Sequence, residues 1–258
     1  MNYRRLASFF LLLPLAATAQ RRAPTGPMRV LFVGNSYTYV NDLPMVIADL
    51  AAAAHEPRSF APEVVLVGGA TLEGHIAGRD ALPAIARGGW DAIVIQEQST
   101  RPITDPDKMR RDVRTLADAA KKVNAKLVLY ETWARETAPA TQDSLTHVYR
   151  KAASDVGATI APVGEVWSAF RAEEGSVPAG AHSRLFRDDG SHPSPIGTYV
   201  AATVLYETLY GKSPVGLPPI TRNTFTQPSV GPAPDALRDS VPLAVARRIQ
   251  DLASKAKY

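Results

Sequence analysis

From Arg29 onward, short apolar runs alternate with longer amphipathic segments through five cycles. This alternation limits the fold more than any other feature. Strands separated by helices cannot pair through tight hairpins, so they lie side by side in a parallel sheet with helices on its two faces. The predicted strands are Arg29–Val33, Glu63–Val67, Asp91–Ile95, Lys126–Tyr130 and Ala158–Ala161. The predicted helices are Leu43–Ala54, Ala81–Ala86, Asp107–Val123, Gln142–Val156, Glu165–Glu173 and Pro195–Tyr210, with a last one near Ala236–Ala253. The third strand is apolar without interruption, which points to burial on both faces. Right-handed crossovers place every strand's C-terminal end on one edge, where such sheets hold their ligands. A long loop runs from the helix ending at Glu173 to Ser191, and Gly211–Asp235, rich in proline and polar residues, reads as a surface wrap. No internal repeat or domain boundary is visible, and residues 28–258 read as one domain.

The first residues have a different character. Arg4 and Arg5 precede the short apolar run Leu6–Ala17, and Ala17-Thr18-Ala19 supplies the small-x-small pattern of a cleavage site. Residues 1–19 are therefore expected to be a secretory signal peptide, placing the mature chain in the periplasm or outside the cell. The run is shorter than the ~20 residues of a membrane-spanning helix, so no integral membrane association is expected after cleavage. The chain has no cysteine, which excludes disulfides, thiolate metal sites and a cysteine nucleophile. Its formal charge of +4 falls to +2 once Arg4 and Arg5 leave with the signal, and the remaining charges are interspersed. No nucleic-acid footprint is present in that pattern.

Two short blocks carry the chemistry. Gly34-Asn35-Ser36 follows the first strand, where glycine permits a tight turn and a helix start favours developing negative charge. Asp189-Gly190-Ser191-His192 lies before Ser194-Pro195, an N-cap and first helical position. A loop braced in this way can hold the imidazole still. Asp189 can then bind Nδ1 while Nε2 accepts a serine proton. Asp188 is the competing carboxylate, one residue further away and read as solvated. Two more strand ends offer donors for an oxyanion: Gly68-Gly69-Ala70-Thr71 after the second strand and Gln96-Glu97-Gln98-Ser99 after the third. His55, His75, His147 and His182 show no metal-ligand spacing, so no metal is expected; His75 is a candidate to line the site, as is Trp133 after the fourth strand, which could stack on a sugar ring.

These residues resemble the SGNH (GDSL-type) hydrolase superfamily over roughly Met28–Tyr210, and a poorly characterised bacterial branch within it. The resemblance implies a three-layer α/β/α fold around a five-stranded, flavodoxin-like parallel sheet. It implies Ser36 as nucleophile, His192 as base and Asp189 as the orienting acid. The oxyanion hole would use the N–H groups of Ser36 and Gly69, with Gly68 as a one-residue alternative. Where the family usually carries Gly-x-Asn-Asp, this chain has Gln96-Glu97-Gln98-Ser99. By register Gln98 replaces the asparagine, with Gln96 as the fallback. The implied activity is ester hydrolysis through an acyl-enzyme without a cofactor. O-acetyl groups on a carbohydrate are the favoured substrate, a small molecule or a polysaccharide. The alternatives are a lipase- or lysophospholipase-like esterase and a catalytically silent carbohydrate-binding protein on the same scaffold.

Overall fold

The computed structural model describes residues 25–175, 183–225 and 238–257. The expected signal peptide, His182 and residues 226–237 lie outside these. Five strands, β1 (Met28–Gly34), β2 (Phe60–Leu66), β3 (Ala92–Ile95), β4 (Lys126–Tyr130) and β5 (Thr159–Ala161), pair in parallel in the order β2-β1-β3-β4-β5. This is the flavodoxin-like order expected of the chain. It places the switch point, where successive connections leave in opposite directions, between β1 and β3.

The central strands β1, β3 and β4 are buried on both faces, the edge strand β2 is partly exposed, and the side chains divide by alternation. Val30, Phe32, Ala92, Val94, Val128 and Tyr130 enter one apolar layer. Leu31, Val33, Ile93, Ile95, Leu127 and Leu129 enter the other. The first layer is completed by α2 (Leu43–Ala53), α8 (Val163–Glu174), α9 (Pro195–Tyr210) and α10 (Leu243–Ala253). The second is completed by α3 (Leu72–Ala77), α4 (Ala81–Ala86), α6 (Pro106–Lys122) and α7 (Gln142–Val156). Helix α9 carries a single charged residue, Glu207, and lies deep in its layer, whereas α6 keeps a charged outer face.

Three features depart from the sequence reading. The short helices α1 (Ser36–Tyr39), α3 and α5 (Arg101–Thr104) were not anticipated, because four to six residues show no periodicity. Ile220–Arg222 and Arg238–Ser240 form an antiparallel pair, β6 and β7; the first lies where a plain surface wrap was expected and the second within the expected last helix. The last helix accordingly starts at Leu243 rather than near Ala236, after Pro242. No helix among the described residues is long and apolar enough to cross a membrane.

Candidate active site

The site is assembled at the C-terminal ends of β1, β2 and β3, beside the switch point. Strand β1 ends at Gly34, and Asn35 caps α1 by accepting from the N–H of Tyr37 at 3.1 Å. Ser36 is thereby the first residue of a helix. The turn needs glycine at position 34: a Cβ there would stand 2.7 Å from Oε1 of Gln96. Asn35 also donates through Nδ2 to the carbonyl of Ala70 at 2.9 Å, tying this turn to the loop after β2.

The second part comes from the loop between Phe186 and Pro193, which are bridged in antiparallel fashion at its base. Asp189 Oδ1 accepts from the N–H groups of Ser191 and His192, both at 2.9 Å. Its Oδ2 lies 2.5 Å from Nδ1 of His192, and Nε2 of that ring lies 2.8 Å from Oγ of Ser36. Asp189, His192 and Ser36 thus form one continuous hydrogen-bonded chain. Burial pushes the Asp189 carboxyl up, but the His192 ring and the two backbone donors outweigh it and hold it below the usual carboxylate range. Asp188 is exposed and takes no part in this chain.

Neighbouring elements brace the loop from several sides. Trp133 donates through Nε1 to the carbonyl of Ser191 at 3.0 Å, and the Tyr37 hydroxyl lies 2.8 Å from Oγ of Ser191. Asn41 donates to the carbonyl of Pro193 at 3.1 Å and to Thr198 at 2.8 Å, while its Oδ1 accepts from Arg187 at 2.6 Å. Asn41 and Asp42 both have positive φ (57° and 52°), so this bracing is held in a backbone conformation that costs energy.

Two expected lining residues are elsewhere. Trp133 is wholly buried, stacked between Tyr37 and Trp167 with ring centroids 4.4 and 4.0 Å away. It supports the site from below and cannot meet a sugar. His75 is also buried, and its Nε2 lies 2.7 Å from the carbonyl of Gly34. Burial holds its pKa below the ordinary histidine value. Both lie in the core because the strand ends they follow are covered by helices.

Beside Ser36 a cleft of about 290 Å³ is lined by Gly68, Gly69, Gln98, Ser99, Arg135 and Phe225, among others. Gly68 and Gly69 occupy a turn closed from Ala70 N–H to the Val67 carbonyl at 3.1 Å. Gly69, at φ +69°, takes the position that favours glycine in a type II turn. The two glutamines after β3 have different surroundings. Gln96 is buried, and its Oε1 accepts from the Asn35 N–H and the Thr38 hydroxyl, both at 3.0 Å, while Nε2 donates to the carbonyl of Glu97. It holds the Ser36 turn and is not available to a substrate. Gln98 turns its Oε1 to the start of α5, accepting from the N–H groups of Thr100 (2.8 Å) and Arg101 (3.0 Å) and from the Thr100 hydroxyl (3.0 Å). This fixes the sense of the amide and leaves Nε2 with one long contact, 3.4 Å to Ser99. Tyr37, Asn41, Ser99, Arg135, Ser191 and Phe225 were not singled out from sequence. No local pattern marks them, and only the adjacency of Ser99 and Ser191 to the two motifs hinted at a place in the site.

No protein-family model matches this sequence, and no curated protein does. Solved structures do. A protein from Slackia heliotrinireducens assigned to the SGNH hydrolases is 33% identical, with a TM-score of 0.59, over 71% of this chain and 99% of that one. The TesA structure is 19% identical (TM-score 0.55; 71% and 98% of the two chains), and an acetylxylan esterase from Geobacillus stearothermophilus is 16% identical (TM-score 0.54; 72% and 95%). These two share the fold. With 33% identity sustained along nearly the whole of the Slackia protein, on the same scaffold and with its strand-end blocks in place, this chain belongs to the SGNH hydrolase superfamily.

Proposed function

We propose that this protein is a serine esterase. The observation that carries the reading is the unbroken chain from Asp189 through His192 to Ser36, with both contacts at hydrogen-bond length. Ser36 Oγ attacks the ester carbonyl as Nε2 of His192 takes its proton. Asp189 keeps the ring in the tautomer that presents a free Nε2 and stabilises the imidazolium that forms. The developing oxyanion lies among the N–H groups of Ser36 and Gly69 (or Gly68) and the Nε2 amide of Gln98. All of these line the same cleft. His192 returns the proton to the leaving alcohol, and water then cleaves the acyl-enzyme with the same base.

O-acetyl groups on a carbohydrate are the proposed substrate. The described lining of the cleft sets polar groups of Asn35, Gln98, Ser99, Arg135 and Ser191 beside the rings of Tyr37, Tyr39 and Phe225, which suits a short acyl group on a sugar, and neighbours with this fold include structures named as acetyl xylan esterases. Export by the signal segment fits a polysaccharide substrate. Intact-mass spectrometry after exposure to a fluorophosphonate tests the nucleophile. A single adduct on the wild type that is absent from Ser36→Ala is the expected result. A folded wild-type protein that takes up no adduct would leave a silent binding protein as the better reading.

A further inference from the structure

Among the described residues Arg135 is the only permanently charged one lining the cleft. It lies five residues beyond the end of β4, exposed, and donates through Nη2 to Oγ of Ser99 at 3.1 Å. Among the described residues no carboxylate pairs with it, although most of the arginines in the structure have one. Beside it the Tyr37 hydroxyl, Ser99 and Ser191 form a polar wall, with Tyr37 held through its contact to Ser191 and its stacking on Trp133. A guanidinium positioned by a buried serine, without a counter-ion and facing the space beside a nucleophile, matches a planar anion.

We infer that Arg135 determines specificity, selecting esters whose alcohol part carries a carboxylate, as in an acetylated acidic sugar. This deepens the esterase reading and rests on it. The fork of N–H groups not engaged by Ser99 would take the carboxylate. The bond adds affinity for the substrate in both ground and transition states, so it acts chiefly on KM.

The test uses a matched pair, a monoacetylated methyl glucuronoside and the corresponding monoacetylated methyl glucoside, with 4-nitrophenyl acetate as a probe of the bare esterase. The wild type is expected to prefer the charged sugar by about 10- to 100-fold in kcat/KM, the range of a charge-assisted hydrogen bond. Arg135→Gln should bring that ratio near one through a higher KM for the charged ester. Arg135→Lys should keep part of it, and 0.5 M salt should weaken it in the wild type. Calorimetric binding of the two sugars to Ser36→Ala reads the same preference without turnover. A wild type indifferent to the carboxylate, or a preference that survives in Arg135→Gln, overturns the inference. Because 4-nitrophenyl acetate turnover and binding to Ser36→Ala are read separately, an inactive enzyme and a misassigned Arg135 give different results.

Discussion

The two sides of the cleft are built differently. On the side of Ser36 and His192, each polar group has a named partner, and the two loops are joined by Asn41, Tyr37 and Trp133. On the side of residues 96–99, the chain leaves β3 with three consecutive polar side chains that share no role. Gln96 is fully used inside, Glu97 is buried with Oε2 lacking a partner among the described residues, and Gln98 reaches the cleft. Continued strand alternation explains part of this: Gln96 has the parity of Val94 and meets α1, while Glu97 has the parity of Ile95 and meets Leu72 at the start of α3. One side is set by contacts across loops. The other is set by the face on which each residue leaves its strand.

The largest effect should come from breaking the first side. Asp189→Asn keeps the size of the side chain but offers an amide donor to Nδ1, favouring the wrong tautomer. A fall in kcat of about 10³–10⁴ is expected, with little change in KM. His192→Ala should cost about as much, and combining it with Ser36→Ala should cost little more than either alone, because the three residues act as a unit. Additive losses in the double variant would mean that Ser36 and His192 do not work together.

The second side should separate its two glutamines. Gln98→Ala removes an amide donor from the cleft and should lower kcat by about 10²–10³ while the protein remains folded. Gln96→Ala should act on stability instead, by roughly 1–3 kcal/mol, because it strands the Asn35 N–H and the Thr38 hydroxyl. Thermal melts and steady-state kinetics on both variants give the comparison. A Gln96→Ala protein that melts normally but has lost kcat would exchange the two assignments.

How much was legible in the sequence follows the same division. The period-two and period-3.6 patterns located β4, α7 and α9 to the residue, because each is flanked by clear breaks such as Gly157 after α7 and Ser194-Pro195 before α9. Asp189 and His192 were readable because three residues of separation suffice for a carboxylate to reach its own loop's imidazole. Trp133 was a candidate to line the site, and the structure buries it. An aromatic after a strand end has no local mark telling whether a helix will cover it, and here α8 supplies Trp167 on its far face. Arg135, two residues on, was passed over for the same reason, since its place in the cleft depends on Ser99 from another strand. The choice between Gln96 and Gln98 required the position of α5, a helix too short to be seen in the pattern.

The smallest expected effect concerns the buried carboxylates at the ends of β3 and β4. Burial pushes Glu97 up to about 7 and Glu131 up to about 8, and each keeps one carboxylate oxygen without a partner among the described residues. In the unfolded chain both titrate near the ordinary value of about 4.3. A raised carboxyl pKa means that the native state holds the proton longer than the unfolded state, so the stability present below about pH 4.5 is lost as pH rises toward 7 for Glu97 and toward 8 for Glu131. His75, depressed by burial, acts in the opposite sense below about 6.5, so the slope is best read as a difference between variants. Glu97→Gln keeps an oxygen for the N–H groups of Leu72 and Gln98 and should gain roughly 1–3 kcal/mol over wild type at pH 8 while gaining little at pH 5. Urea midpoints across that range give the measurement. Because Glu97 accepts from the Gln98 N–H itself, the same variant should leave kcat close to wild type at pH 6 and diverge from it above 7, where wild-type Glu97 becomes charged. If stability and kcat both track wild type at every pH, Glu97 is uncharged throughout, and the residue 96–99 side of the cleft does not respond to pH through it.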